Sequence, residues 1–201
     1  NDAIKSIQAW QLTSQTWYHF NAKIFADCSG DSILRYCGAE FNHGKEARKE
    51  FNESLAPEEA NKNTMGNSIL LQCRQTDRHV PYQKPSWAYE YTDGDFNNRT
   101  VKSTKNNNFW WIEYGGMKDT IIDAEEIRME VIKISLGVWS FMKNHPDGRC
   151  KDWELLWVGA LPGKRENIRY TGPHVLTQND LADNRHFEDC IGHGGWPMDD
   201  H

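Results

Sequence analysis

Two short stretches of the chain bring together residue types that do chemistry. The first is Asp27-Cys28-Ser29-Gly30-Asp31-Ser32, which follows an aromatic, β-branched run and precedes the helically spaced Ile33-Leu34-Arg35-Tyr36-Cys37-Gly38-Ala39. In a strand, polar turn and helix, the backbone N–H groups of Ser29, Gly30 and Asp31 can face an anionic or polyhydroxyl ligand at the helix N-terminus. Gly30 lets such a ligand come close. The same residues also read as an ordinary capped turn with Asp31 as N-cap. The second stretch, Gly163-Lys164-Arg165-Glu166-Asn167-Ile168-Arg169-Tyr170, sets three cations and one carboxylate within six residues. If it is extended, Arg165, Asn167 and Arg169 share one face while Glu166 and Ile168 take the other. Two guanidiniums on one face can clamp a carboxylate or an enolate in bidentate fashion. A solvated, charged edge strand is the alternative reading of the same pattern.

Histidines at 174, 186, 193 and 201 gather near the C-terminal end with Asp199 and Asp200. His193 and His201 are candidate bases or ligands, but the spacing matches no zinc pattern, so no metal is expected. The tryptophan pairs are candidate sugar-stacking platforms; at strand and helix positions they read as core.

These residues need elements to hold them. Ile4 to Trp10 and Trp17 to Ala26 alternate or run aromatic and predict a β-hairpin. The charged stretch from His43 to Asn63 predicts a short solvated helix, then a second one opened by Ala56-Pro57-Glu58-Glu59. Strands are expected at Asn67 to Arg74 and at Phe109 to Tyr114, the latter bounded by Gly115-Gly116. Between them Arg78 to Asn108 lacks any sustained period, with a strand expected at Trp87 to Tyr91. The strongest pattern is a helix over Asp123 to Asn144, with Ile127, Val131, Ile134, Val138, Phe141 and Met142 recurring at three and four residues and Pro146-Asp147-Gly148 beyond it. Trp153 to Trp157 is apolar without a clear period. Arg165 to Thr177 reads as polar strand, Asn179 to Asn184 as a short helix. The resulting class is α+β, with a mixed or antiparallel sheet and flanking helices.

The 23 basic residues are outnumbered by 29 acidic ones, leaving a formal charge of -6 across 201 residues. No basic run is long enough to draw a nucleic-acid backbone, so nucleic acid is not an expected partner. No apolar stretch approaches the roughly 18 residues that cross a bilayer, so no membrane partner is expected and the chain reads as soluble; the compartment, cytoplasmic or periplasmic, is left open. The five cysteines are odd in number and form no CxxC pair, which argues against a disulfide framework; they read as mostly buried thiols.

Phe25-Ala26-Asp27-Cys28-Ser29-Gly30-Asp31-Ser32-Ile33-Leu34, followed by Gly38-Ala39-Glu40, resembles the D-A-T-G-D-G-x-L … G-A-E segment of the FAD-dependent oxidoreductase family within the glutathione-reductase-like flavoproteins. Cys28, Ser29 and Ser32 depart from the Ala, Thr and Gly of that pattern. Later blocks look similar to the same family and keep its order: Glu53 to Glu58 with Thr64 to Ser68, Trp110-Trp111-Ile112-Glu113-Tyr114-Gly115-Gly116, Trp157 to Glu166, and Val175-Leu176-Thr177-Gln178-Asn179-Asp180. The resemblance spans nearly the whole chain.

The family's dinucleotide-binding glycine fingerprint lies N-terminal to such a region and a second flavin-contacting segment lies C-terminal to it. The resemblance therefore implies an internal portion of a flavoenzyme. Residues 1–40 would be a piece of the FAD-binding domain and residues 41–201 the substrate-binding, capping domain. It further implies that FAD belongs to the full-length parent, that the isolated piece is inactive and without it, and that the partners are a small-molecule substrate and the remainder of the flavoprotein chain. Ser29, Gly30 and Asp31 would touch FAD. Arg165 and Arg169 would hold an anionic or polar substrate, Glu166 would orient an arginine or accept a proton, and His201 would be a further base. The expected reaction passes a hydride between an organic substrate and FAD. The alternative is a non-catalytic carbohydrate- or protein-binding module.

Overall fold

The structure, a computed structural model, describes residues 3–30, 33–96, 101, 109–195 and 198. The expectations at Asp31, Asp199, Asp200 and His201 lie outside the described residues. The class is α+β: two-stranded sheets and a few helices. The residues cluster into two units, one within Asn1–Asn42 and Ile168–Val175, the other within His43–Asn167 and Leu176–His201.

In the smaller unit, alternation yields a hairpin. β1 (Ser6–Gln11) and β2 (Thr16–Asn21) pair antiparallel, with Trp10 opposite Trp17 and Ile7 opposite Phe20. The two indoles meet at 5.4 Å between ring centroids. A pair of strands has no third to cover it, and Trp17 stays 67% exposed. β2 stops at Asn21, short of the run to Ala26 that the sequence pattern includes. The helix expected over Ile33 to Ala39 is a single 3-10 turn, Leu34–Cys37, which Gly38 closes in the left-handed conformation at φ 84°. Phe41–His43 forms β3, whose neighbour is β8 (Ile168–Tyr170). The Tyr170 hydroxyl accepts from the Arg35 N–H at 2.9 Å and the Thr171 N–H donates to the Glu40 carbonyl at 2.9 Å.

The larger unit holds the core. α2 (Ala124–Lys143) is the helix its periodicity predicts: Ile127, Val131, Ser135, Val138 and Met142 are buried at three- and four-residue intervals, joined by Trp139. Val131, Val138, Trp139 and Met142 pack with Ile69, Phe109, Ile112 and Cys150. α1 (Arg48–Phe51) is the short charged helix. The helix expected from Ala56-Pro57 does not form, because the Pro57 carbonyl instead accepts the Arg48 N–H at 2.7 Å and satisfies an otherwise orphaned donor of α1.

The strand expected over Asn67 to Arg74 is divided into β4 (Asn67–Ser68) and β5 (Leu71–Gln75). β4 pairs with β6 (Glu113–Tyr114), and β5 with β7 (Trp153–Val158), each antiparallel. Ile69 at the break is 1% exposed and Leu70 52%. The strand expected at Phe109 is mostly a turn, in which the Ile112 N–H donates to the Phe109 carbonyl at 3.0 Å. A strand would send residues three apart to opposite faces; the turn sends both Phe109 and Ile112 inward and leaves Trp110 48% exposed. Trp87 to Tyr91 forms no strand, and Ala88 closes a turn on Pro85 at 3.0 Å. α3 (Gln178–Ala182) starts one residue before its expected position, set by a capping box between Thr177 and Asp180.

Candidate functional site

Trp110, exposed by its turn, forms one wall of a cleft of about 450 Å³ that lies wholly within the larger unit. Further apolar surface comes from Trp157, Leu70 and Leu161, and Lys164 and Arg165 bring charge to it. Strand register explains these positions. Trp157 stands opposite Gln72, just before the irregularity between Gln72 and Cys73, and is 52% exposed. The Gly159 N–H donates to the Leu70 carbonyl at 2.9 Å. Ser68 and Gly163 exchange two backbone bonds, at 3.1 and 2.8 Å, which pins the Gly163-Lys164-Arg165 segment to β4.

Arg165 is thereby placed against Trp110, with its guanidinium carbon 5.7 Å from the ring centroid. The Glu113 carboxylate lies 3.6 Å from its Nη1. The other oxygen of Glu113 accepts the Gly66 N–H at 3.0 Å, so this carboxylate is itself fixed. At 3.6 Å the ion pair is longer than a hydrogen bond, and the fork of donors on Arg165 retains capacity for a ligand. Ser68 also lines the cleft, and its buried Oγ has no hydrogen-bond partner among the described residues.

A second cavity, of about 380 Å³, sits at the C-terminal end of α2 beside Tyr91, Phe141 and His145. Its polar groups are already matched. His145 lies 3.2 Å from Asp93, 2.9 Å from Asp147 and 3.1 Å from Arg149, and the Lys84 ammonium donates to the Ala88 carbonyl at 2.7 Å. The tryptophan cleft is the better candidate.

The residues expected from sequence divide between the units. Arg165 and Glu166 belong to the larger one, and Ser29, Gly30 and Arg169 to the smaller. The extended segment expected to put Arg165, Asn167 and Arg169 on one face is interrupted. Only Ile168–Tyr170 is strand, and the consecutive residues Asn167 and Ile168 are both buried, at 3% each, where alternation requires one of them out. Asn167 is an anchor rather than a clamp residue: its Nδ2 donates to Asp119 at 3.3 Å and its Oδ1 lies 3.2 Å from His43 Nε2. Glu166 is exposed and its carbonyl accepts the Met65 N–H at 3.2 Å. The carboxylate beside Arg165 is Glu113.

Sequence reasoning missed Glu113, Ser68 and the placement of Trp110 and Trp157. The Trp110-Trp111 doublet was the available signal, and reading tryptophan as core concealed it. Trp139 is core, whereas Trp10, Trp17, Trp87, Trp110 and Trp157 are exposed. The cysteines are corrected too: Cys28, Cys37 and Cys190 are exposed, and only Cys150 is fully buried. Burial pushes the Cys73 thiol up to about 12, so it stays protonated and unreactive at neutral pH. Among the described residues, no cluster of His, Cys, Asp and Glu is built to hold a metal ion, and no helix is long and apolar enough to cross a membrane.

The family described as FAD dependent oxidoreductase matches residues 1–201. The chain belongs to the FAD-dependent oxidoreductase family. No curated protein and no solved structure matches it.

The turn from Asp27 to Gly30, which the resemblance assigns to FAD, can be tested for fit. The Asp27 carboxylate accepts the Ser29 N–H at 2.9 Å and the Leu34 N–H at 3.2 Å. These bonds, with one from the Ser29 hydroxyl as the largest contribution, hold the Asp27 carboxyl below its ordinary value. The Ser29 N–H thus already serves an internal anion, and a 3-10 turn of four residues supplies no helix N-terminus for a phosphate. Gly30 has φ 72°, and a Cβ added there would meet nothing within 4 Å. An open glycine surface beside a fixed carboxylate suits a polyhydroxyl group. Ser29 and Gly30 fit the ribityl or ribose portion of FAD better than its diphosphate.

Proposed function

We propose that this chain supplies the substrate-side cleft and part of the cofactor grip of an FAD-dependent enzyme that passes a hydride between an organic substrate and FAD. The observation that carries the reading is Arg165, held between the Trp110 ring and the Glu113 carboxylate at the edge of an apolar cleft. When bound, FAD supplies the two-electron acceptor for a hydride. The Asp27 turn would hold its hydroxyls through Ser29 and Gly30. Trp110 and Trp157 exclude water from the substrate's apolar body. Arg165 binds its polar end and offsets the negative charge that gathers on a substrate oxygen as that oxygen loses its proton. In the oxidative direction the substrate loses a hydride from carbon and a proton from oxygen, and Glu166 is the proton's acceptor.

The test is Arg165→Gln in the flavin-loaded protein that contains residues 1–201. Removal of one preorganised donor is expected to lower kcat/KM about a hundredfold. Arg165 and Glu113 are partly exposed, with side-chain accessibilities of 28% and 27%, so their ion pair contributes no more than about 1 kcal/mol to stability and the melting temperature changes little. Unchanged turnover would remove Arg165 from the site.

A further inference from the structure

The lining of the tryptophan cleft selects its ligand by how little polar capacity it offers. Its side-chain surface is mostly apolar, from the half-exposed Trp110, Trp157 and Leu70 and the exposed Leu161. Most of its polar groups are already committed. Ser68 and Gly163 bond each other through their backbones, and the Gly159 N–H bonds the Leu70 carbonyl. Lys164 is engaged in an interaction of its own, and the Ser68 Oγ is buried. Arg165 keeps donors for a ligand, while its charge is met by Glu113 at 3.6 Å. Two ligand classes suit such a lining badly. A ligand carboxylate at Arg165 would share one cation with the fixed Glu113 carboxylate, and like charges that share a site oppose each other's ionised form; taking that carboxylate out of water adds a further cost. A sugar bears hydroxyls around its ring, and those facing apolar side chains would leave water without a partner. A single hydroxyl on an apolar ring meets neither penalty.

We propose, resting on the reading of this cleft as the substrate site, that the substrate is a neutral alcohol carried on an apolar ring. The ring buries area on Trp157, Leu70 and Leu161 without asking them for hydrogen bonds. The hydroxyl oxygen accepts from Arg165, the same group that offsets charge on that oxygen during the reaction. In the oxidative direction the carbinol C–H bond gives up a hydride to FAD and the O–H bond a proton to Glu166, which leaves a carbonyl compound. An aryl alcohol and an alicyclic alcohol share this chemistry.

The experiment is an anaerobic, ligand-observed NMR titration of the flavin-loaded protein that contains residues 1–201, with benzyl alcohol, cyclohexylmethanol, benzoate and glucose as probes. At least one alcohol is expected to bind about tenfold or more tightly than both benzoate and glucose. Benzyl alcohol alone would assign an aryl ring, cyclohexylmethanol alone an alicyclic one. Trp157→Ala should weaken the alcohol about tenfold while the flavin stays bound. Leu161→Ser, at a position 83% exposed, should weaken it in the same sense without disturbing the sheet. Benzoate or glucose binding as tightly as the alcohols, or no binding of either alcohol, would overturn the proposal. Release of flavin from Trp157→Ala would overturn it as well, by giving the cleft to the cofactor. Turnover that still depends on Arg165 while both alcohols fail to bind would discard the substrate class and leave the hydride-transfer reading standing.

Discussion

Single residues set what the candidate site can recognise. Arg165 owes its position to two restraints from different directions, an indole beneath it and a carboxylate that is itself tied to the Gly66 N–H. Asp27 does comparable work in the turn. Its bonds to Ser29 and Leu34 favour the ionised form, so its folded pKa lies below the unfolded one. Their contribution to the turn is complete above the unfolded value, near 3.9, and disappears as pH falls through the lower folded value. The expected outcome is that the Ser29 and Leu34 amide protons lose hydrogen-exchange protection below about pH 4 and that Asp27→Asn loses part of it at neutral pH. Protection that persists unchanged at pH 2 would show the carboxylate to be idle.

At the scale of elements, α2 is the scaffold, and Gly137 shows where packing overrules propensity. Replacing a mid-helix glycine with alanine ordinarily gains about 1 kcal/mol. A Cβ at Gly137 would sit 2.4 Å from the Tyr89 backbone carbonyl and 2.8 Å from the Tyr91 ring. A backbone atom cannot swing aside as a flexible side chain does. Gly137→Ala is therefore expected to destabilise, by about 1–3 kcal/mol in urea unfolding; a stabilised variant would contradict the packing. α2 was legible in the sequence because one apolar stripe meets one core. The elements around the cleft were not. Phe109 and Ile112 share a side only through a turn, and Ile69 and Leu70 break a strand so that one is buried and its neighbour lines the cleft. Such breaks are set by what packs behind them, which no local period encodes. The Ala56-Pro57 helix failed for a similar reason: α1 needed its carbonyl.

For the molecule as a whole, the core lies in the larger unit, and the hairpin of the smaller one is exposed along nearly its whole length. Strands without covering contacts open at low free energy. Amide exchange in β1 and β2 is expected to run at least about a hundredfold faster than in the middle of α2, and equal rates would show that the hairpin shares the core's stability. The family was legible because many blocks agree in order. The one-faced extended segment expected from Arg165 to Arg169 does not form, because two consecutive residues, Asn167 and Ile168, are both buried. The central claim, that an organic substrate held by Arg165 passes a hydride to FAD, is tested most directly by anaerobic mixing of the flavin-loaded protein with candidate organic substrates while the flavin absorbance is followed. The account predicts bleaching by at least one substrate, slowed about a hundredfold in Arg165→Gln with the starting spectrum unchanged. Bleaching at the same rate in that variant would contradict it.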